Sequence, residues 1–81
     1  MVLYYMDNCG YCDAIKPVWE NVKLIAEDQT KFVRMIEVNS KNIDAAEKID
    51  QFPTIVKYID GKKITYNGDR TFDGISGFAR L

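Results

Sequence analysis

The sequence predicts an α/β fold in the order β-α-β-α-β-β-α, a four-stranded mixed sheet flanked by helices. Three observations carry that prediction. A short apolar run passes directly into a long stretch of helical period, the opening of a parallel crossover unit. Asp60-Gly61 separates two strand-like runs as a two-residue turn, the signature of an antiparallel hairpin. The chain holds only two cysteines, Cys9 and Cys12, and they stand where the first strand gives way to the first helix.

Val2 to Met6 is apolar but too short for a helix, and reads as a buried strand. Asp7-Asn8 breaks it, and Asn8 is a candidate helix cap. From Gly10 to Asp28 the residues Ile15, Val18, Trp19, Val22, Ile25 and Ala26 recur at helical spacing. Cys12 falls on the same inward stripe as Ile15 and Trp19, whereas Cys9 falls at the helix tip, within reach of solvent. Pro17 lies inside this helix, where it removes a backbone hydrogen bond and should kink the axis. Trp19 reads as core.

Phe32 to Val38 reads as a second strand with both faces partly buried. Asn39-Ser40 ends it and can cap a short helix from Asn42 to Ile49, with Ile43, Ala46 and Ile49 inward. Gln51-Phe52-Pro53-Thr54 leads into the strand Ile55 to Ile59, and Lys62 to Tyr66 returns as its partner. Lys62-Lys63 is a solvated edge that discourages further strand pairing. Asn67-Gly68-Asp69 is a turn, and Arg70 reads as a surface or capping group. Thr71 caps a last helix carrying Phe72, Ile75, Phe78 and Ala79, weakened by Gly74 and Gly77. The cysteine pair thus sits at the carboxyl end of the first strand, where open α/β sheets place their sites.

With 81 residues the chain is expected to form a single domain, 1–81, and its 47% apolar content supplies a core. A net charge of −1 with scattered lysines and arginines points to neither nucleic acid nor an anionic membrane. No apolar run approaches the ~20 residues of a membrane span. Met1 to Met6 lacks the basic flank of a signal peptide, so a cytoplasmic location is expected. The absence of histidine excludes Ser-His and Cys-His catalysis and histidine-ligated zinc, and two cysteines are too few for an all-thiolate zinc site. A purely structural Cys9–Cys12 crosslink would close too short a loop to stabilise the fold much. Reversible thiol–disulfide chemistry remains. The positive end of the helix favours a Cys9 thiolate, which makes Cys9 the attacking thiol and Cys12 the resolving one.

Cys9-Gly10-Tyr11-Cys12, Pro17 within the first helix, Phe52-Pro53-Thr54, and Tyr66 to Arg70 with Ile75 and Phe78 together resemble the thioredoxin-fold superfamily. Protein disulfide isomerase and thioredoxin domains are nearest in pattern, and the likeness covers essentially the whole chain. The resemblance implies a minimal thioredoxin fold and a thiol–disulfide oxidoreductase. It implies that Cys9 and Cys12 are catalytic, and that Gly10, Tyr11, Phe52, Pro53 and Thr54 form the substrate-binding surface. Pro53, cis in the family, would face the disulfide and leave the Phe52 backbone free to pair with an extended substrate. No metal and no cofactor beyond the redox-active disulfide are implied, with glutathione as a candidate co-substrate. The expected partners are proteins bearing disulfides or dithiols, and a reductase or glutathione, acting on a monomer.

The departures from the pattern are Asn8 in place of a tryptophan, Leu3 in place of a buried acid, and Asp13 in place of a lysine. Asp7 and Asp13 should oppose the Cys9 thiolate. Tyr11 and the small size resemble glutaredoxins, whereas Phe52-Pro53-Thr54 does not. The alternative function is therefore a glutaredoxin-like protein using glutathione, binding an iron–sulfur cluster as a dimer. A catalytically idle partner platform is a third reading.

Overall fold

Val2–Tyr5 (β1) is an inner strand on which the rest is built, because its alternate side chains are buried on both faces. The computed structural model describes residues 1–29 and 34–80. After β1 come helix α1 (Gly10–Gln29), strand β2 (Ile36–Asn39), a 3₁₀ turn (Ser40–Asn42), strands β3 (Thr54–Ile59) and β4 (Lys62–Thr65), and helix α2 (Phe72–Arg80). The strands form one mixed sheet in the order β2-β1-β3-β4. β1 pairs parallel with β2, in a register that sets Leu3 beside Glu37. It pairs antiparallel with β3, setting Leu3 beside Ile55. Asp60 and Gly61 both take positive φ, 51° and 76°, as a tight hairpin turn between right-twisted strands requires. The β3–β4 ladder then closes with Ile59 opposite Lys62.

Both helices pack on the same face of the sheet. Leu3 and Ile55 from the sheet, Ile15, Trp19 and Val22 from α1, Met35, and Ile75 and Phe78 from α2 form one cluster. The opposite face carries Val2, Tyr4 and Val56, and the segment between β2 and β3 covers it through Val38, Ile43, Ile49 and Phe52. The expected short helix from Asn42 to Ile49 is corrected accordingly, since no α-helix forms there. Asn39 caps only a 3₁₀ turn, its side chain accepting from the Lys41 amide. Asp44 then takes the Ala46 amide on its side chain and the Glu47 amide on its carbonyl, a local turn that competes with helix. Eight residues are too few to nucleate a helix against that competition. Ile43 and Ile49 do point inward, but Ala46 is exposed.

Other boundaries move by a residue or two. Met6 lies outside β1 and is exposed. The expected start of β2 at Phe32 lies outside the described residues, and the observed strand is an edge whose Ile36 and Glu37 are exposed. α1 runs on through Pro17. Of its expected inward stripe, Ile25 is partly solvent-exposed. Thr71 caps α2 as expected, its hydroxyl accepting from the Gly74 amide at 3.1 Å.

Lys57 is buried on the helix face of β3, and its Nζ donates to the carbonyls of Phe78 and Ala79 at 3.1 Å each. These carbonyls belong to the last turn of α2, where a helix leaves its acceptors unpaired and its dipole favours a cation. Burial lowers the Lys57 pKa below its ordinary 10.5. Between the lowered folded value and 10.5 the unfolded chain binds more protons than the native one, so this group's contribution to stability rises with pH. In denaturant titrations, the stability difference between wild type and Lys57→Met is expected to grow as pH climbs through that alkaline window. A flat difference would contradict the assignment.

Candidate active site

The loop leaving β1 delivers Cys9 to the N-terminus of α1, and the local hydrogen bonds explain why the helix starts there. The Cys9 carbonyl accepts the first helical bond, from the Asp13 amide at 3.0 Å. The Cys9 sulfur accepts the Cys12 amide at 3.2 Å, so sulfur occupies the place of a capping oxygen. Asn8, expected as the cap, instead takes a left-handed conformation at φ 57°, which asparagine tolerates better than most residues. Cys9 and Cys12 are joined as a disulfide with their Cα atoms 5.2 Å apart. Cys9 is partly exposed and Cys12 has no exposed surface.

Continuing the β1–β3 register beyond Tyr4–Thr54 brings Pro53 opposite Tyr5, at the end of the sheet from which the cysteine loop departs. The Phe52–Pro53 peptide bond is cis. Pro53 is buried, and it lines a cavity of about 230 Å³ together with Thr54, whose hydroxyl donates to the Gln51 carbonyl. The Phe52 side chain turns away to the opposite face of the sheet. Gly10 is exposed, and Tyr11 is 72% exposed. Of the sequence-predicted surface, the structure therefore brings Gly10, Tyr11, Thr54 and the buried Pro53 to one end of the sheet, and turns the Phe52 side chain away from it.

The flanking acids are engaged rather than free. Asp7 meets Lys41 at 3.1 Å and accepts from Asn39 at 3.1 Å, and the Lys41 and Asn39 hydrogen bonds lower its pKa. Asp13 lies 3.7 Å from Lys16. Their opposition to a Cys9 thiolate is accordingly weaker than the bare charges suggest, whereas the helix end and the Cys12 amide both favour that thiolate. In the reduced protein, Cys9 is expected to titrate below the free-thiol value of about 8.5, yet above the ~3.5 of the most acidic exchange cysteines. Thiolate absorbance of Cys12→Ser against pH checks this, and a value outside that range would refute it.

Leu3, which stands in place of a buried acid, is fully buried. On the neighbouring strand, Glu37 accepts from the Trp19 indole at 3.1 Å and from Lys23 at 3.0 Å. Sequence reasoning missed this pairing, because Trp19 and Glu37 meet only once β2 lies beside β1 under α1. It also missed the stacking of Arg70 on Tyr11, at 5.6 Å from guanidinium carbon to ring centroid. Among the described residues no group of three or more His, Cys, Asp or Glu is placed to hold a metal. No described helix is long and apolar enough to cross a membrane.

Comparison with known proteins places this geometry. The chain is 30% identical over 81 residues to protein disulfide-isomerase of the rabbit Oryctolagus cuniculus, covering 95% of this chain and 16% of that protein. It is 30% identical over 84 residues to protein disulfide-isomerase of Saccharomyces cerevisiae, covering 99% and 16%. The chain thus spans about 16% of the length of these relatives. Among solved structures, the first thioredoxin domain of mouse protein disulfide-isomerase A4 superposes with a TM-score of 0.85 at 21% identity, covering 98% of this chain and 59% of that one. Human ERp44 gives a TM-score of 0.85 at 20% identity, covering 98% and 26%. At such identities the likeness is one of fold. The thioredoxin family model matches residues 1–80, through every strand and both helices, and the chain belongs to the thioredoxin family.

Proposed function

We propose that this chain is a thiol–disulfide oxidoreductase domain that exchanges its Cys9–Cys12 pair with protein disulfides or dithiols. The observation that carries the reading is the asymmetry of the pair: a partly exposed Cys9 at a helix N-terminus, bonded to a Cys12 with no exposed surface. In the reducing direction the Cys9 thiolate attacks a substrate disulfide, forming a mixed disulfide and releasing one substrate thiolate. Cys12, losing its proton, then attacks Cys9, which forms the Cys9–Cys12 bond and releases the second substrate thiolate. Two electrons pass from the protein to the substrate, and the reverse sequence donates the disulfide. A reductase or glutathione would return the pair to the dithiol form. Similarity to protein disulfide-isomerase domains supports protein substrates. Catalysed reduction of insulin in dithiothreitol tests the reading, and a rate equal to dithiothreitol alone would refute it.

A further inference from the structure

We propose that Arg70, stacked on Tyr11, reads a carboxylate on the disulfide substrate beside the sulfur that Cys9 attacks; this rests on the exchange function proposed above. The sequence places Arg70 fifty-nine positions from Tyr11, in the connection between β4 and α2. The fold brings its guanidinium over the Tyr11 ring, inside the cysteine loop. Stacking on an aromatic face holds a guanidinium in place while leaving its N–H edge available for a planar acceptor. Among the described residues Arg70 has neither a carboxylate nor a hydrogen-bond partner, whereas Asp7 and Asp13 around the cysteine loop are matched by Lys41 and Lys16.

Arg70 also lines the cavity of about 230 Å³ beside Pro53. It is the one charged residue among those lining that cavity, and no acid is among them. The Thr54 hydroxyl is occupied by the Gln51 carbonyl, and the Tyr66 hydroxyl by the Asp69 carbonyl. The side-chain amides of Gln51 and Asn67 remain to assist the guanidinium. An unpaired cation with amide donors, stacked on the Tyr11 side chain of the Cys9–Cys12 loop, recognises an anion of carboxylate size. The carboxylate has two sources: an acidic residue flanking a polypeptide cysteine, or the free carboxylates of a small thiol such as glutathione.

The test compares reduced protein reacting with two disulfide-linked peptides that differ only in Glu or Gln beside the cysteine. Wild type is expected to react about three- to fivefold faster with the Glu peptide at low salt, the scale of a solvent-exposed charge contact. The ratio should fall to about one in Arg70→Gln, invert in Arg70→Glu, and persist in Arg80→Gln, an equal loss of charge at the far end of α2. A wild-type ratio near one, or a ratio that survives Arg70→Gln, would overturn the proposal. If neither peptide reacts, the exchange function fails, and Kd values of the corresponding Ser-for-Cys peptides on the oxidised protein decide the subsite alone. A tighter Glu peptide, lost in Arg70→Gln, then supports it, and equal affinities overturn it. Glutathione disulfide against its ethyl ester separates the sources. Alongside the peptide preference, a preference for the free acid extends the subsite to the small thiol, and no such preference confines it to the acidic side chain.

Discussion

Cys9→Ser is expected to abolish disulfide exchange, and Cys12→Ser to retain the first attack but accumulate a covalent adduct with its substrate. The two outcomes follow from where each sulfur sits. Serine at position 9 keeps a capping oxygen for the Cys12 amide, so the helix start should survive. What is lost is the thiolate, and an alkoxide cannot form at neutral pH to replace it. Cys12 cannot substitute, because it has no exposed surface through which a protein disulfide could reach it. Turnover should therefore fall to the uncatalysed level, a loss of several orders of magnitude against an accelerated exchange. In Cys12→Ser the partly exposed Cys9 still attacks, but no internal thiol displaces the substrate, so the mixed disulfide persists until an external thiol removes it. Non-reducing electrophoresis and intact mass of the trapped species give the readout. Normal turnover by Cys12→Ser on protein disulfides would remove the resolving role.

Leu3→Asp is expected to lower stability by about 3–5 kcal/mol, the cost of an uncompensated charge in a core. Leu3 is fully buried against Ile15, Trp19 and Ile55, and its parallel neighbour on β2 is already a carboxylate, Glu37. Leu3 and Glu37 line one cavity of about 240 Å³, so a new acid there faces a like charge as well as desolvation. Both effects raise the pKa of the introduced group. The folded state then binds more protons than the unfolded one, so the stability loss deepens as pH rises from about 4 through the raised folded value. Leu3→Asn, polar but uncharged, should be destabilised without that pH dependence. Adding Glu37→Lys to Leu3→Asp should recover part of the loss by pairing the two strands' charges. That recovery must exceed the cost of removing the acceptor of both the Trp19 indole and Lys23, which the Glu37→Lys single variant measures, and a double-mutant cycle isolates the coupling. Pure additivity would show that the two positions do not sense one another.

Much of this architecture is legible without coordinates, because it depends on local rules. The Asp60-Gly61 turn follows from positive φ, which few residue pairs tolerate, and it sets the β3–β4 register at once. The burial of Cys12, Ile15, Trp19 and Val22 follows from helical periodicity alone. Thr71 caps α2 through a hydroxyl three residues before the amide it serves. Where the reading failed, two local options of similar strength competed. Over Asn42–Ile49 a weak helical pattern lost to the Asp44 turn. At the start of α1, Asn8 and Cys9 are both able to accept the helix amides, and sulfur took the place expected of the amide oxygen.

The sequence by itself determined the order of the four strands and of the first and last helices, the hairpin, and the unequal exposure of Cys9 and Cys12, since each depends on residues within a few positions of one another. Only the tertiary structure decided that both helices share one face, that Glu37 stands beside Leu3 and under Trp19, and that Arg70 reaches Tyr11 across the mouth of the site. Those contacts join residues far apart in the chain. They exist because the crossover and the hairpin bring distant strands edge to edge, and no periodicity within a single segment encodes which side chains then meet.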